Sequence, residues 1–107
     1  GLCELLRVEA QNDERTRYEV HARSHGQWQK LTAVRFHEGP LPEAGPNGLT
    51  NEALLALVID RLRWFQSREQ TACHENAGAL RHAEEALLWL QRRAQLRPVP
   101  RVERKAV

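Results

Sequence analysis

Residues 73, 76, 80, 83, 87, 90, 94 and 97 are spaced alternately three and four apart, and they read Cys73, Asn76, Leu80, Ala83, Leu87, Leu90, Ala94 and Arg97. This is an apolar seam of heptad period, which suits a helix packed lengthwise against another helix and suits no strand. The helix is predicted over about Ala72 to Leu96. Pro98 and Pro100 end it, because proline lacks the amide that a continuing helix needs. A partner helix stands just upstream. Thr50 or Asn51 caps it, Glu52 lies in the first turn where the helix dipole favours an anion, and it runs to about Gln66. Its stretch Ala53 to Ile59 is apolar nearly all round, a pattern that calls for burial on every side. One face can lie on a sheet; the other needs a further element or a second copy.

The first third has strand character. Glu4 to Glu9 partly alternates, and Asn12-Asp13-Glu14 has turn composition. Tyr18, Val20 and Ala22 alternate with Glu19, His21 and Arg23, and Ser24-His25-Gly26-Gln27 can close a hairpin. Leu31, Ala33 and Arg35 alternate with Thr32, Val34 and Phe36, so both faces turn apolar towards the end of that run. Two or three antiparallel strands are expected. Between them and the helices, Glu38 to Gly48 holds three prolines and three glycines, which predicts a stiff structural loop. The expected class is α+β: a small N-terminal antiparallel sheet packed on a C-terminal two-helix hairpin that dimerises through its helices. The whole is read as one domain over 1–107, with a β-rich part at 4–37, a Pro/Gly loop at 38–50, the hairpin at 51–97 and a flexible basic tail at 98–107.

With 41% hydrophobic and 28% charged residues the chain is globular in composition, and its longest near-apolar run is far too short to span a bilayer. The opening Gly1-Leu2-Cys3-Glu4 has no secretory signal pattern, and Gly1 in place of methionine suggests a trimmed start or a residue left by a tag. Cys3 and Cys73 form no paired motif, so reduced thiols and a cytoplasmic setting are expected. The net charge of +2 hides an asymmetry. Residues 92–107 carry six cations against Glu103, a balance of +5, so the 91 residues before them carry −3. A basic end on a mildly acidic body points to an anionic partner.

Two members of the seam are wrong for a plain core. Asn76 either fixes the register of a helix pair, sits exposed near the cap, or lines a cavity where its amide both donates and accepts. Arg93 and Arg97 stand four apart on one helix face. Two guanidinium forks there can clamp phosphate oxygens, although cations near a helix C-terminus are favoured by the dipole in any case. Trp64-Phe65 at the end of the first helix can close a core or stack on a base. Trp28 and Trp89 are assigned to the core. No catalytic residue emerges. His74-Glu75 lacks the second histidine of a zinc helix, Cys73 beside His74 is no metal site without further ligands, and His74 and His82 are too far apart along a helix to share an ion. With Asp13 and Asp60 as its only aspartates and no phosphate-cradling glycine loop, the chain is expected to be a binding protein rather than an enzyme, with neither metal nor cofactor.

One long pattern resembles a known family. It comprises Gly39-Pro40, then Glu43-Ala44-Gly45-Pro46-Asn47-Gly48-Leu49-Thr50-Asn51-Glu52-Ala53-Leu54-Leu55, Val58-Ile59-Asp60-Arg61-Leu62 and Phe65-Gln66. Cys73-His74-Glu75-Asn76, Glu84-Glu85-Ala86-Leu87, Trp89-Leu90 and Arg93 continue it. Over roughly Val34 to Arg97 this is similar to the Thoeris anti-defence sponge proteins of phages. The resemblance implies a homo-oligomer, dimeric or hexameric, that sequesters a cyclic ADP-ribose immune signal in the host cytoplasm without degrading it. It implies ligand contacts at Phe65, Asn76, Arg93 and Arg97, in a pocket shared between two copies. It also implies cyclic oligonucleotide signals as ligands for some members, at a second site that the sequence does not locate beyond the loop Gly39 to Asn51. The chain departs from the family pattern at His74, where a basic residue is usual, in a slightly longer Ser67 to Thr71, and at Arg97-Pro98-Val99-Pro100, where the family has a glycine-containing run. The identity of the cyclic nucleotide therefore stays open. The competing expectation is a small dimeric nucleic-acid-binding regulator that uses the basic C-terminal helix end. A dimeric adaptor with no small ligand is a third.

Overall fold

A computed structural model describes residues 5–39 and 45–96, for 94–96 the backbone alone. The expected basic tail, Arg97, Cys3 and Gly1 lie outside the described residues. The element order is β1 (Leu6–Ala10), β2 (Arg17–Ser24), β3 (Gln27–Arg35), α1 (Asn51–Gln66) and α2 (His74–Leu96), an α+β chain that divides into two compact units after Thr50.

In the first unit the three strands form one antiparallel sheet in sequential order. His25 and Gly26 alone connect β2 to β3, with φ of 53° and 78°. Positive φ at both positions makes a tight turn whose twist matches that of the strands, and glycine meets that need without strain. The β1–β2 connection is held by Asn12, whose Oδ1 accepts from the amides of Thr16 at 3.0 Å and Arg17 at 3.2 Å. One face gathers Leu6, Val8 and Ala10 opposite Ala22, Val20 and Tyr18. A bulge between Val20 and His21 pairs them with Thr32 and Lys30, leaving Leu31 as the extra residue. The bulge explains why β3 looks apolar on both faces in the sequence. Val34 comes opposite Tyr18, while Leu31 is 58% exposed.

The residues after β3 are tied back to the sheet. Phe36 and Leu49 form a parallel bridge, and the Tyr18 and Phe36 rings meet edge to face at 5.7 Å. The Asn47 side chain accepts from the Glu38 amide and donates to the Glu38 carbonyl, both at 2.8 Å. These bonds tie Glu38 to Asn47 across the loop. Gly48 passes so close to Phe36 that a Cβ there would lie 2.5 Å from its carbonyl carbon.

In the second unit, α1 and α2 pack as a hairpin. The heptad seam faces inward along α2: Asn76, Leu80, Ala83, Leu87 and Leu90 are all half-buried. Ile59, at 1% exposure, is the one fully buried hydrophobic side chain among the described residues. Arg63 reaches across to Glu84 at 2.7 Å, an exposed pair that contributes about 1 kcal/mol or less. The all-round apolar stretch of α1 is not covered in the single chain, for Leu57 is 61% and Val58 48% exposed. Two tryptophans assigned to the core are not there. Trp28 is 39% and Trp89 61% exposed, and each carries an arginine over its ring, Arg7 at 4.4 Å and Arg92 at 5.6 Å. A guanidinium can cover an aromatic face where no apolar layer does. No described helix is long and apolar enough to cross a membrane.

Two glycines make opposite predictions. Gly48→Ala forces backbone apart and should cost about 1–3 kcal/mol. Gly78→Ala places a methyl in open space within α2 and should gain up to about 1 kcal/mol from helix propensity. Urea midpoints of the two variants check both signs. A third prediction concerns acid. The Thr16 hydroxyl donates to Glu38, and this bond, helped by the nearby Arg17 and Arg35, holds the Glu38 carboxyl below its usual range. A carboxyl lowered on folding stabilises the fold above its unfolded pKa and loses that contribution as pH falls through its folded one. In Thr16→Val, Glu38 should titrate closer to the ordinary value, as followed by NMR. The stability gap from the unsubstituted chain should be present at pH 7 and shrink on acidification through the carboxylate range.

Candidate ligand-binding site

The turn between the helices brings two of the expected site residues together. Ser67 closes the end of α1: its Oγ donates to the Trp64 carbonyl at 2.6 Å, and its amide donates to the carbonyls of Arg63 at 3.0 Å and Trp64 at 3.2 Å. Gln66 then clasps Cys73 from both sides. Its Nε2 donates to the Cys73 carbonyl at 3.0 Å, and its Oε1 accepts from the Cys73 amide at 2.9 Å. Cys73 sits at the cap of α2, where its sulfur accepts from the Asn76 amide at 3.4 Å. It is therefore an exposed capping residue and not the first member of the buried seam.

Thr71 joins the two ends. Its hydroxyl donates to the Phe65 carbonyl at 2.7 Å, and its own carbonyl accepts from Asn76 Nδ2 at 3.3 Å. Phe65 and Asn76 consequently line one depression of about 520 Å3, open to solvent, together with Val58, Arg61, Leu62 and Thr71. Its lining includes the aromatic Phe65, the aliphatic Val58 and Leu62, and Asn76, whose Oδ1 makes no hydrogen bond among the described residues. The Phe65 ring is set by its neighbours: Trp64 meets it edge to face at 5.2 Å, and the Arg61 guanidinium stands over it at 4.9 Å.

Arg93 is not in this depression. It is exposed on α2, seventeen residues beyond Asn76, which at 1.5 Å per residue is about 25 Å along the helix. Arg97 lies outside the described residues. Sequence reasoning passed over Arg61 and Thr71. The signal for Arg61 was its position four residues before Phe65, the spacing that stacks two side chains on one helix face.

A second polar cluster lies on the sheet. Glu9 and Glu19 are register partners, and with His21 they offer three possible ligand atoms within 4.8 Å of one another. Like charges opposite each other on two strands repel unless cations intervene. Here Arg7 pairs with Glu9 at 3.0 Å, Lys30 with Glu19 at 3.4 Å, and His21 reaches both carboxylates. Lys30 and then His21 keep the Glu19 carboxyl below its ordinary range. The cluster is neutralised from within.

A two-helix hairpin with an open aromatic–amide depression at its turn, preceded by a three-stranded sheet, defines the class of fold. The chain belongs to the family of the Acb2/Tad1 hairpin domain, whose model matches residues 30–95. It is also 49% identical over 74 residues, 69% of its length, to the curated protein "Thoeris anti-defense 1" of Bacillus phage SBSphiJ7. The match takes in 51% of that relative, so the chain spans about half the length of the curated protein it matches.

Proposed function

We propose that this chain serves phage anti-defence by binding and sequestering a cyclic ADP-ribose isomer, or a related cyclic nucleotide, without degrading it. The signal is thereby withheld from host immune signalling in the host cytoplasm. The observation that carries this reading is the meeting of Phe65 and Asn76 in one ligand-sized depression, within a hairpin of this family. Phe65 stacks on the adenine, and Asn76 hydrogen-bonds a ribose or a base edge through its free acceptor. Arg93 and Arg97 hold the diphosphate oxygens with charge-assisted bonds, each contributing about 1.5–3 kcal/mol.

The length of α2 supports a site made by two copies. A compact cyclic nucleotide resting on Asn76 does not extend about 25 Å to Arg93 of the same helix. The arginines that meet its phosphates come from a partner copy packed against the exposed faces of the hairpin, where Leu57, Trp64, Leu88 and Trp89 are each more than half exposed. The assembly is a homodimer or a hexamer built from such pairs. Sequestration asks only for tight, slowly dissociating binding, so no catalytic group takes part.

The test is recovery. Protein mixed with cyclic ADP-ribose isomers, freed of excess ligand and then heated should release the intact compound, and Phe65→Ala should release at least about tenfold less. Recovery of ADP-ribose in place of the cyclic compound contradicts sequestration and points to a hydrolase. If duplex DNA binds instead, with affinity falling steeply with salt, the chain is a nucleic-acid-binding regulator.

A further inference from the structure

We propose that Arg61 is a ligand-binding residue whose guanidinium supplies positive charge to the phosphates of a nucleotide seated between Phe65 and Asn76. The proposal rests on a phosphate-bearing nucleotide being the ligand, and it adds a cation that belongs to the same copy as the ring and the amide.

Three observations carry it. Arg61 lines the depression with Phe65, Thr71 and Asn76. Its guanidinium stands over the Phe65 ring at 4.9 Å and donates no hydrogen bond among the described residues, so its N–H donors are available to an anion. It also makes no ion pair among the described residues, whereas Arg63, two positions on, is neutralised by Glu84 at 2.7 Å. Without Arg61 the depression is lined by no charged side chain at all, although a nucleotide brings negative charge to it. Arg93 of the same copy is too far along α2 to supply the missing charge.

Calorimetry of the full chain with cyclic ADP-ribose, at low and high salt, tests this with Arg61→Gln, Arg61→Lys and Arg63→Gln. Arg61→Gln is expected to weaken binding at least about tenfold at low salt, Arg61→Lys to lose clearly less than Arg61→Gln because it keeps the charge though not the planar fork, and Arg63→Gln to change it less than about twofold. The gap between the unsubstituted chain and Arg61→Gln is expected to narrow as salt screens the charge. Because Arg61 is exposed, thermal melting should be nearly unchanged and so exclude unfolding as the cause. Binding by Arg61→Gln within twofold of the unsubstituted chain overturns the proposal. Equal, salt-independent losses in Arg61→Gln and Arg61→Lys overturn it too, because they assign the residue to holding the Phe65 ring. If the unsubstituted chain fails to bind cyclic ADP-ribose and cyclic oligonucleotides alike, the nucleotide reading itself falls, and this inference with it.

Discussion

The reciprocal clasp of Gln66 on Cys73 determines the geometry at the hairpin turn. One side chain satisfies both backbone groups of the residue that caps α2, so the end of one helix and the start of the next are fixed together. Thr71, inside the clasp, then ties the Phe65 carbonyl to the Asn76 side chain. The depression exists because the turn can close in this way. Its residues come from α1, the turn and the first turn of α2, and none of those segments makes it alone.

What the hairpin leaves uncovered matters as much. A two-helix unit of this size buries little; among its described residues only Ile59 is buried, at 1% exposure, while Leu57, Trp64, Leu88 and Trp89 stay more than half exposed. Exposed apolar side chains of this size are what a partner surface would cover. On the proposed function the same covering completes the ligand site, because it brings a partner's arginines to the mouth of a depression that its own α2 carries them away from. Stability and ligand capture then depend on one assembly step.

Much of this was legible in the sequence, and for a physical reason. A heptad seam and a period-two alternation are one-dimensional records of which side of an element is buried. The α2 seam therefore appears in the structure from Asn76 to Leu90, and the three strands appear where residues alternate. Features that depend on pairing across elements were not legible. The Leu31 bulge and the opposition of Glu9 to Glu19 require a register, which no single strand states. Trp28 and Trp89 were misassigned because a tryptophan's size suggests burial, whereas a stacked arginine can cover it equally well. Arg61 was passed over because a charged residue on an amphipathic helix ordinarily belongs to its solvated face. The family pattern singled out Phe65 and Asn76, and the fold brings them together, whereas the second copy that would bring the arginines to them is part of the proposal.

The proposed dependence on a second copy is open to a direct measurement. Asn76→Ala and Arg93→Ala chains, each impaired alone, can be co-refolded and titrated with the cyclic nucleotide. In a mixed pair, the intact Phe65–Asn76 depression of one copy meets the intact Arg93 of the other. The account predicts that the mixture regains full affinity at a fraction of its sites. A mixture that binds no better than either variant alone would contradict it and confine the site to a single chain.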